Sequence, residues 1–282
     1  MTPPPFVAKP LPWDYIAKIV SIGDSGTGKS SLTIRLCEGR FTNQHDVTIG
    51  VEFGSRIVPV GPPASRELGI NDPATKAATP SPAKPNTKKD NATKQEEQQK
   101  HMKLSLWDTA GQEQYKSITR SYFRGASGAL LVFDISRRET FASVTTWLHD
   151  LKQIAEEGII VVLVGNKSDL ADASLVGSGR EEVNKRQVTR EEAEAWCKSN
   201  NVMGYVETSA KSGDGVERAF LNVAERVYQN IEAGKYDLND RRSGVKAASA
   251  PTAGNTAKTV NLTVRDEVGG RGKASASGGG CC

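Results

Sequence analysis

The residues best suited to chemistry are Gly23-Asp24-Ser25-Gly26-Thr27-Gly28-Lys29-Ser30, which follow the β-branched, alternating stretch Tyr15–Ile22. Such a loop cradles a nucleoside triphosphate. Its glycines let the backbone curl until successive N–H groups point at phosphate oxygens. The helix that starts next adds its positive N-terminus. Lys29 places a point charge on the β- and γ-phosphates, and the Ser30 hydroxyl is a ligand for Mg²⁺. The loop specifies a nucleotide without specifying the base.

Three further clusters sit where strands end. Asn166-Lys167-Ser168-Asp169 follows the apolar run Ile159–Val164. It therefore lies in the crevice where α/β sheets bind ligands. Guanine offers two adjacent donors, N1–H and the 2-amino group, and the Asp169 carboxylate can accept both. Adenine would leave that charge unpaired. Ser209-Ala210-Lys211 follows the strand-like Tyr205–Glu207, where a backbone N–H could reach the base O6. Asp108-Thr109-Ala110-Gly111-Gln112 follows Lys103–Trp107. Asp108 is placed to hold Mg²⁺ through water, Gly111 to bring a backbone N–H to the γ-phosphate, and Gln112 to orient an attacking water.

The elements that must position these groups are legible in the pattern. Strands are predicted over Tyr15–Ile22, Val51–Val60 and Met102–Trp107, the last two forming a hairpin. Ala129–Asp134 and Ile159–Val164 are unbroken apolar runs, as in parallel strands buried on both faces. Helices are predicted over Ser30–Glu38 with Gly39 as its stop, Phe141–Glu157, Thr189–Ser199 with a Thr189/Glu192 capping box, and Val216–Ile231. Alternating strands and helices imply an α/β fold with a mostly parallel six-stranded sheet, one antiparallel strand and helices on both faces.

The rest of the 282 residues reads as unpacked: apolar content is 37% and mean hydropathy is −0.46. Residues 1–13 are predicted to be a disordered extension. Residues 14–238 are the nucleotide-binding domain, interrupted by a proline-rich, disordered hairpin insertion over 61–101 and a lengthened loop over 172–186. Residues 239–282 are a flexible tail. Such segments cannot bury enough surface to offset their ordering entropy. Loop closure costs grow only logarithmically, so the hairpin tolerates its insertion. The net charge of +4 does not point to nucleic acid. No apolar run is long enough for a transmembrane helix, and no secretory signal or metal-ligand spacing of Cys and His is visible. Cys37 and Cys197 read as ordinary buried thiols.

Together these elements resemble the Ras superfamily, and within it the Rab family. The second likeness rests on Ile49-Gly50-Val51-Glu52-Phe53, on the run Lys116–Ala126, and on the terminal Cys281-Cys282. The resemblance implies a small GTPase that binds GTP or GDP with Mg²⁺, hydrolyses GTP and regulates vesicle traffic as a monomer. Its nucleotide set would be Asp24, Ser25, Gly26, Thr27, Gly28, Lys29, Ser30, Ser31, Phe41, Thr48, Gly111, Asn166, Lys167, Asp169, Ser209, Ala210 and Lys211. Phe41 stands where the family packs an aromatic on guanine. Thr48 stands where it ligates Mg²⁺ and the γ-phosphate, so Ser30, Thr48 and Asp108 are the metal set and Gln112, Lys29, Thr48 and Gly111 the catalytic set. Phe53, Trp107 and Tyr122 match the aromatic triad that effectors read, the reading favoured over three rings that are simply core.

The resemblance further implies an exchange factor, a GTPase-activating protein, a GDP-dissociation inhibitor or escort protein, and geranylgeranyl groups on Cys281 and Cys282. Two lipids anchor stably where one does not. The tail from Arg241 carries seven Lys/Arg against two Asp/Glu, a charge that can assist at anionic lipid or simply aid solubility. His45–Gly54 and Ile231–Gly234 look most like the endosomal-recycling and Golgi–endosome branch, with an early-secretory relative nearly as similar. That implies the cytoplasmic face of endosome or Golgi, cycling with cytosol. Two departures stand out: the insertion, and Gln114 where the family commonly has arginine. The alternatives are a trafficking scaffold that binds nucleotide without hydrolysis, and a P-loop ATPase or kinase.

Overall fold

A computed structural model describes residues 12–43, 47–67, 99–171, 184–240 and 243–248. The elements run β1 (Tyr15–Ile22), α1 (Lys29–Glu38), β2 (Val51–Val60), α2 (Ala64–Glu67), β3 (Lys100–Thr109), α3 (Lys116–Ser121), β4 (Gly128–Asp134), α4 (Arg138–Ala142), α5 (Val144–Lys152), β5 (Ile160–Asn166), α6 (Arg190–Ser199), β6 (Gly204–Thr208), α7 (Val216–Glu232) and β7 (Val245–Ala247). The main sheet order is β2-β3-β1-β4-β5-β6. β3, β1, β4, β5 and β6 run parallel, and β2 is antiparallel to β3. Every parallel strand therefore points its carboxyl end at the same edge.

Two apolar layers hold the sheet. Every residue of β4 and β5 is buried, as continuous apolar runs require. One layer packs α1 and α7 through Leu32, Leu36, Phe220, Val223 and Val227 against Ala17, Leu104, Leu130 and Val162. The other packs α5 and α6 through Trp147, Leu151, Ala193 and Cys197 against Val20, Leu131, Phe133 and Leu163. The stripe predicted on α7 is buried in full, from Val216 to Ile231.

The expected helix over Phe141–Glu157 is two helices meeting at Ser143. α1 stops as expected at Gly39, in the left-handed region with its N–H on the Arg35 carbonyl. Half of the capping box forms. Thr189 Oγ1 accepts from the Glu192 N–H, but the Glu192 carboxylate pairs with Arg138 instead of reaching back.

Among the described residues the sheet has seven strands, not six. β7 lies within the stretch after residue 238 that composition assigns to the tail. Its three residues pair antiparallel with β1, Tyr15 opposite Ala247 and Ala17 opposite Val245. The physical reason is a notch: β4 begins opposite Ile19, so the first half of β1 has an open edge on that side. Lys18 N–H donates to the Gly244 carbonyl at 2.8 Å and Ala248 N–H to the Asp14 carbonyl at 2.7 Å, closing both ends. Val245 is fully buried beneath it.

The insertion is also shorter at its base than 61–101 suggests. Gly61 N–H donates to Glu225 Oε2 of α7 at 2.8 Å. The Gln99 side chain bridges the two arms, donating to the Val60 carbonyl and accepting from the Ala64 N–H. Residues 68–98, most of the 172–186 loop, the first eleven residues, and Cys281 and Cys282, which were expected to carry lipid, lie outside the described residues.

Candidate nucleotide site

At the carboxyl edge of the sheet a cavity of about 410 Å³ opens between the loops that follow β1, β3, β5 and β6. Its walls include Ser25, Gly26, Gly28, Lys29, Ser30, Ser31, Phe41, Thr48, Gly111, Asn166, Lys167, Asp169, Ala210 and Lys211, all expected from the sequence. Thr42, Asn43, Val47, Thr109 and Leu170 complete them without having been foreseen. From β1 the chain goes to β2 and β3 on one side and then crosses from β3 to β4 on the other, so the cavity sits where strand order reverses, as ligand crevices in such sheets do.

The phosphate loop curls around Lys29. Lys29 is buried, and its Nζ donates to the carbonyls of Gly23 at 2.9 Å and Asp24 at 2.8 Å. Burial pushes its pKa down to about 8, against the pull of Asp108 and Asp24. An anion in the cavity would restore the full charge. Gly28 precedes α1 at φ +93, and a Cβ there would lie 2.2 Å from Asn166 Nδ2. Only glycine lets the loop pass so close to that side chain.

Three oxygen donors converge beside the lysine. Ser30 Oγ lies 2.8 Å from Thr48 Oγ1 and donates a hydrogen bond to Asp108 Oδ2. Two hydroxyls and one carboxylate suit Mg²⁺, a hard cation that keeps waters and takes its remaining ligands from phosphate oxygens. Among the described residues no cluster of three or more His, Cys, Asp or Glu could hold a metal. The sparse donor set thus fits a cation that arrives with its phosphates.

Asp169 is mostly buried and fixed from one side. Ser209 Oγ donates to its Oδ1 at 2.6 Å, leaving the other oxygen near Lys211 Nζ at 4.0 Å. Ser209 itself is not in the wall; it orients the carboxylate that is. Asn166 has a different role from the base contact its motif suggests. Its Nδ2 donates to the Thr27 carbonyl at 2.8 Å, and its Oδ1 accepts from Thr208 Oγ1 at 3.1 Å and the Ala210 N–H at 3.2 Å. It pins the phosphate loop to the loop after β6. That bond occupies the Ala210 N–H, one of those considered for the base.

Other expected residues face away. Asp24 turns its carboxylate to Trp147 Nε1 of α5 at 2.7 Å. Thr27 is fully buried, its hydroxyl on the Asp24 carbonyl. Gln112 does not line the cavity; its Oε1 accepts from Gln114 Nε2 at 2.7 Å. Arg35, Asp134, Arg137 and Trp147 support the site and carry no motif signal. Arg35 of α1, for example, donates from Nε to the Ala210 carbonyl at 2.8 Å.

Phe53, Trp107 and Tyr122 form a chain of rings, with centroids 4.6 Å apart for the first pair and 5.5 Å for the second. Phe53 is 66% exposed, with Ile49 at 76% and Ile118 at 51% nearby in sequence to it or to Tyr122, whereas Trp107 is half-buried against the core and Tyr122 half-buried. Comparison with known families gives a match to the Ras family over residues 18–78 and 80–229, the stretch that contains every wall of this cavity.

Proposed function

The chain belongs to the Ras family of small GTPases, and from that premise we propose that it is a Rab-type switch for vesicle traffic that hydrolyses GTP slowly. The observation that carries the chemistry is the meeting of Ser30, Thr48 and Asp108 beside Lys29 in the cavity that also presents Asp169. Mg²⁺, when bound, would neutralise charge on the β- and γ-phosphates; Ser30 and Thr48 would hold it directly and Asp108 through water.

Each residue then has a task. Lys29 exchanges its carbonyl partners for phosphate oxygens. Phe41 packs on the guanine, and Asp169, steadied by Ser209, accepts N1–H and the 2-amino group. Gly111 approaches so closely that a Cβ would lie 2.5 Å from Lys29 Nζ, and its N–H is the donor we assign to the γ-phosphate. Thr48 is held only while a γ-phosphate is present, so its loop orders with GTP and releases with GDP. Gln112 orients the water for in-line attack. No arginine is among the described residues lining the cavity, so an activating partner supplies the missing charge and an exchange factor resets the cycle.

The face we assign to effectors is the exposed Phe53 ring, backed by the half-buried Trp107 and Tyr122. Geranylgeranyl groups on Cys281 and Cys282 would hold the switch on the cytoplasmic face of endosome or Golgi membranes, with an escort protein returning it to cytosol. The test is single-turnover phosphate release from the GTP-loaded chain, with GTP and ATP in competition for loading. Loading by GTP, slow release, and slower release still in Gln112→Leu support the reading; preference for ATP overturns it. A scaffold with negligible hydrolysis is favoured by one observation, the Gln112 amide oxygen taken up by Gln114. Release no faster than in Gln112→Leu would establish it.

A further inference from the structure

β4 is an unbroken apolar strand that ends in a carboxylate, and that carboxylate, Asp134, is 1% exposed. A buried charge persists only if paired and hydrogen-bonded. Here Oδ1 accepts from the Ser136 N–H at 2.9 Å and the Ser136 hydroxyl at 2.6 Å. Oδ2 faces two cations, Lys167 Nζ at 2.6 Å and Arg137 Nε at 3.3 Å. Burial alone would raise the carboxyl's pKa; the bonds from Lys167 and Ser136 hold it below the ordinary value.

The two cations belong to different halves of the cavity. Lys167 lies in its wall, in the loop after β5, beside Asp169. Arg137 reaches the other way: its Nη2 donates to the Ser25 carbonyl at 2.9 Å. Its guanidinium lies 3.5 Å from where a Cβ of Gly26 would sit. β4 runs between β1 and β5 in the sheet, so its last residue stands between the phosphate loop and the base loop. Arg137 reaches the carbonyl by a hydrogen bond from Nη2 and the carboxylate by charge alone from Nε, and a single lysine ammonium does not offer two such separate nitrogens.

We propose that Asp134 is a positioning residue that ties the base loop to the phosphate loop, through Lys167 and Arg137, so that the two halves open and release nucleotide together. This rests on reading the cavity as a guanine-nucleotide site. Neither Asp134 nor Arg137 touches the space the nucleotide would fill; both act on loops that do.

The experiment is release of a fluorescent GDP analogue from the full chain, chased with excess GDP, with Mg²⁺ present and with it chelated. The variants are Asp134→Asn, Arg137→Gln, Arg137→Lys and the Asp134→Asn/Arg137→Gln pair. Each single variant should speed release about tenfold, the scale of one lost charged hydrogen bond. The pair should be little faster than either alone, because both remove the same tie. Chelation should leave these factors unchanged, and Arg137→Lys should not restore the slow rate. Arg137 is 39% exposed on its side chain, so Arg137→Gln keeps the test readable if Asp134→Asn does not fold. Wild-type release rates in Arg137→Gln, or factors that multiply in the pair, overturn the tie alone. A wild-type chain that retains no guanine nucleotide overturns the site reading, and the tie with it.

Discussion

Truncating Val245 to alanine tests the seventh strand. Its side chain is fully buried against the layer that contains Ala17 and Val227. Two methylene equivalents leave that layer, worth about 1.6 kcal/mol in transfer alone, with a further cavity term if the site does not collapse. The loss has a ceiling, because β7 can undock and leave the rest of the sheet folded. For a domain of this size about 1.6 kcal/mol lowers Tm by about 3–6 °C. Gly244→Ala defines the ceiling: a Cβ there would lie 1.8 Å from the Gly125 carbonyl oxygen, so the strand cannot stay docked. Its Tm should equal that of a chain ending at Arg242. Thermal unfolding of the GDP-loaded proteins, with Val227→Ala as a buried control, reads all four. A Val245→Ala chain within 1 °C of wild type, beside a destabilised Val227→Ala, would refute the docking argument.

Gln114→Ala frees the Gln112 amide and should raise single-turnover hydrolysis about twofold, the scale of one exposed hydrogen bond; an unchanged rate means the bond does not restrain Gln112. Glu207 is half-buried; burial would raise its pKa, but Arg186, with one nitrogen on each carboxylate oxygen at 2.9 Å, holds it below its ordinary 4.5. Its stabilising contribution is therefore complete above 4.5 and lost as pH falls through the lower, folded value. Denaturant unfolding should show Arg186→Met less stable than wild type by about 1–2 kcal/mol at pH 7, the gap closing toward pH 3; a gap that persists there contradicts the sign. Burial pushes the Cys197 thiol up to about 12. Peptide mapping after native alkylation at pH 8 should find Cys197 unmodified while the half-buried Cys37 reacts; the reverse order would contradict their burial.

Much of this was legible in residue order because the signals are local. Tyr15–Ile22 and Val51–Val60 were bounded correctly by alternation and the turn residues beside them. β4 and β5 announced themselves as apolar runs, and the phosphate loop as glycines around a lysine. β7 had no such signal: only Val245 of its three residues is buried, and one apolar residue makes no period. The break at Ser143 lacks Gly or Pro, so no residue type in the pattern marks it. Asn166 and Asp134 were opaque for another reason. The partners that matter are distant in sequence, Thr27 and Thr208 for Asn166 and Lys167 for Asp134, and only the sheet order makes them neighbours. A motif reports which residue types meet a ligand; it does not say which of them holds another loop in place.

The strand that closes the notch in β1 also settles where the chain can be engineered. Trp13 enters at the amino end of β1, Ala248 leaves beside Asp14 at that same end, and the insertion joins at Glu67 and Gln99, next to the start of β3. β3 is ten residues long, so these three junctions stand about 30 Å from the edge that carries Asp108. A foreign sequence exchanged for residues 68–98 is thereby attached at the handle of the molecule and not at its mouth.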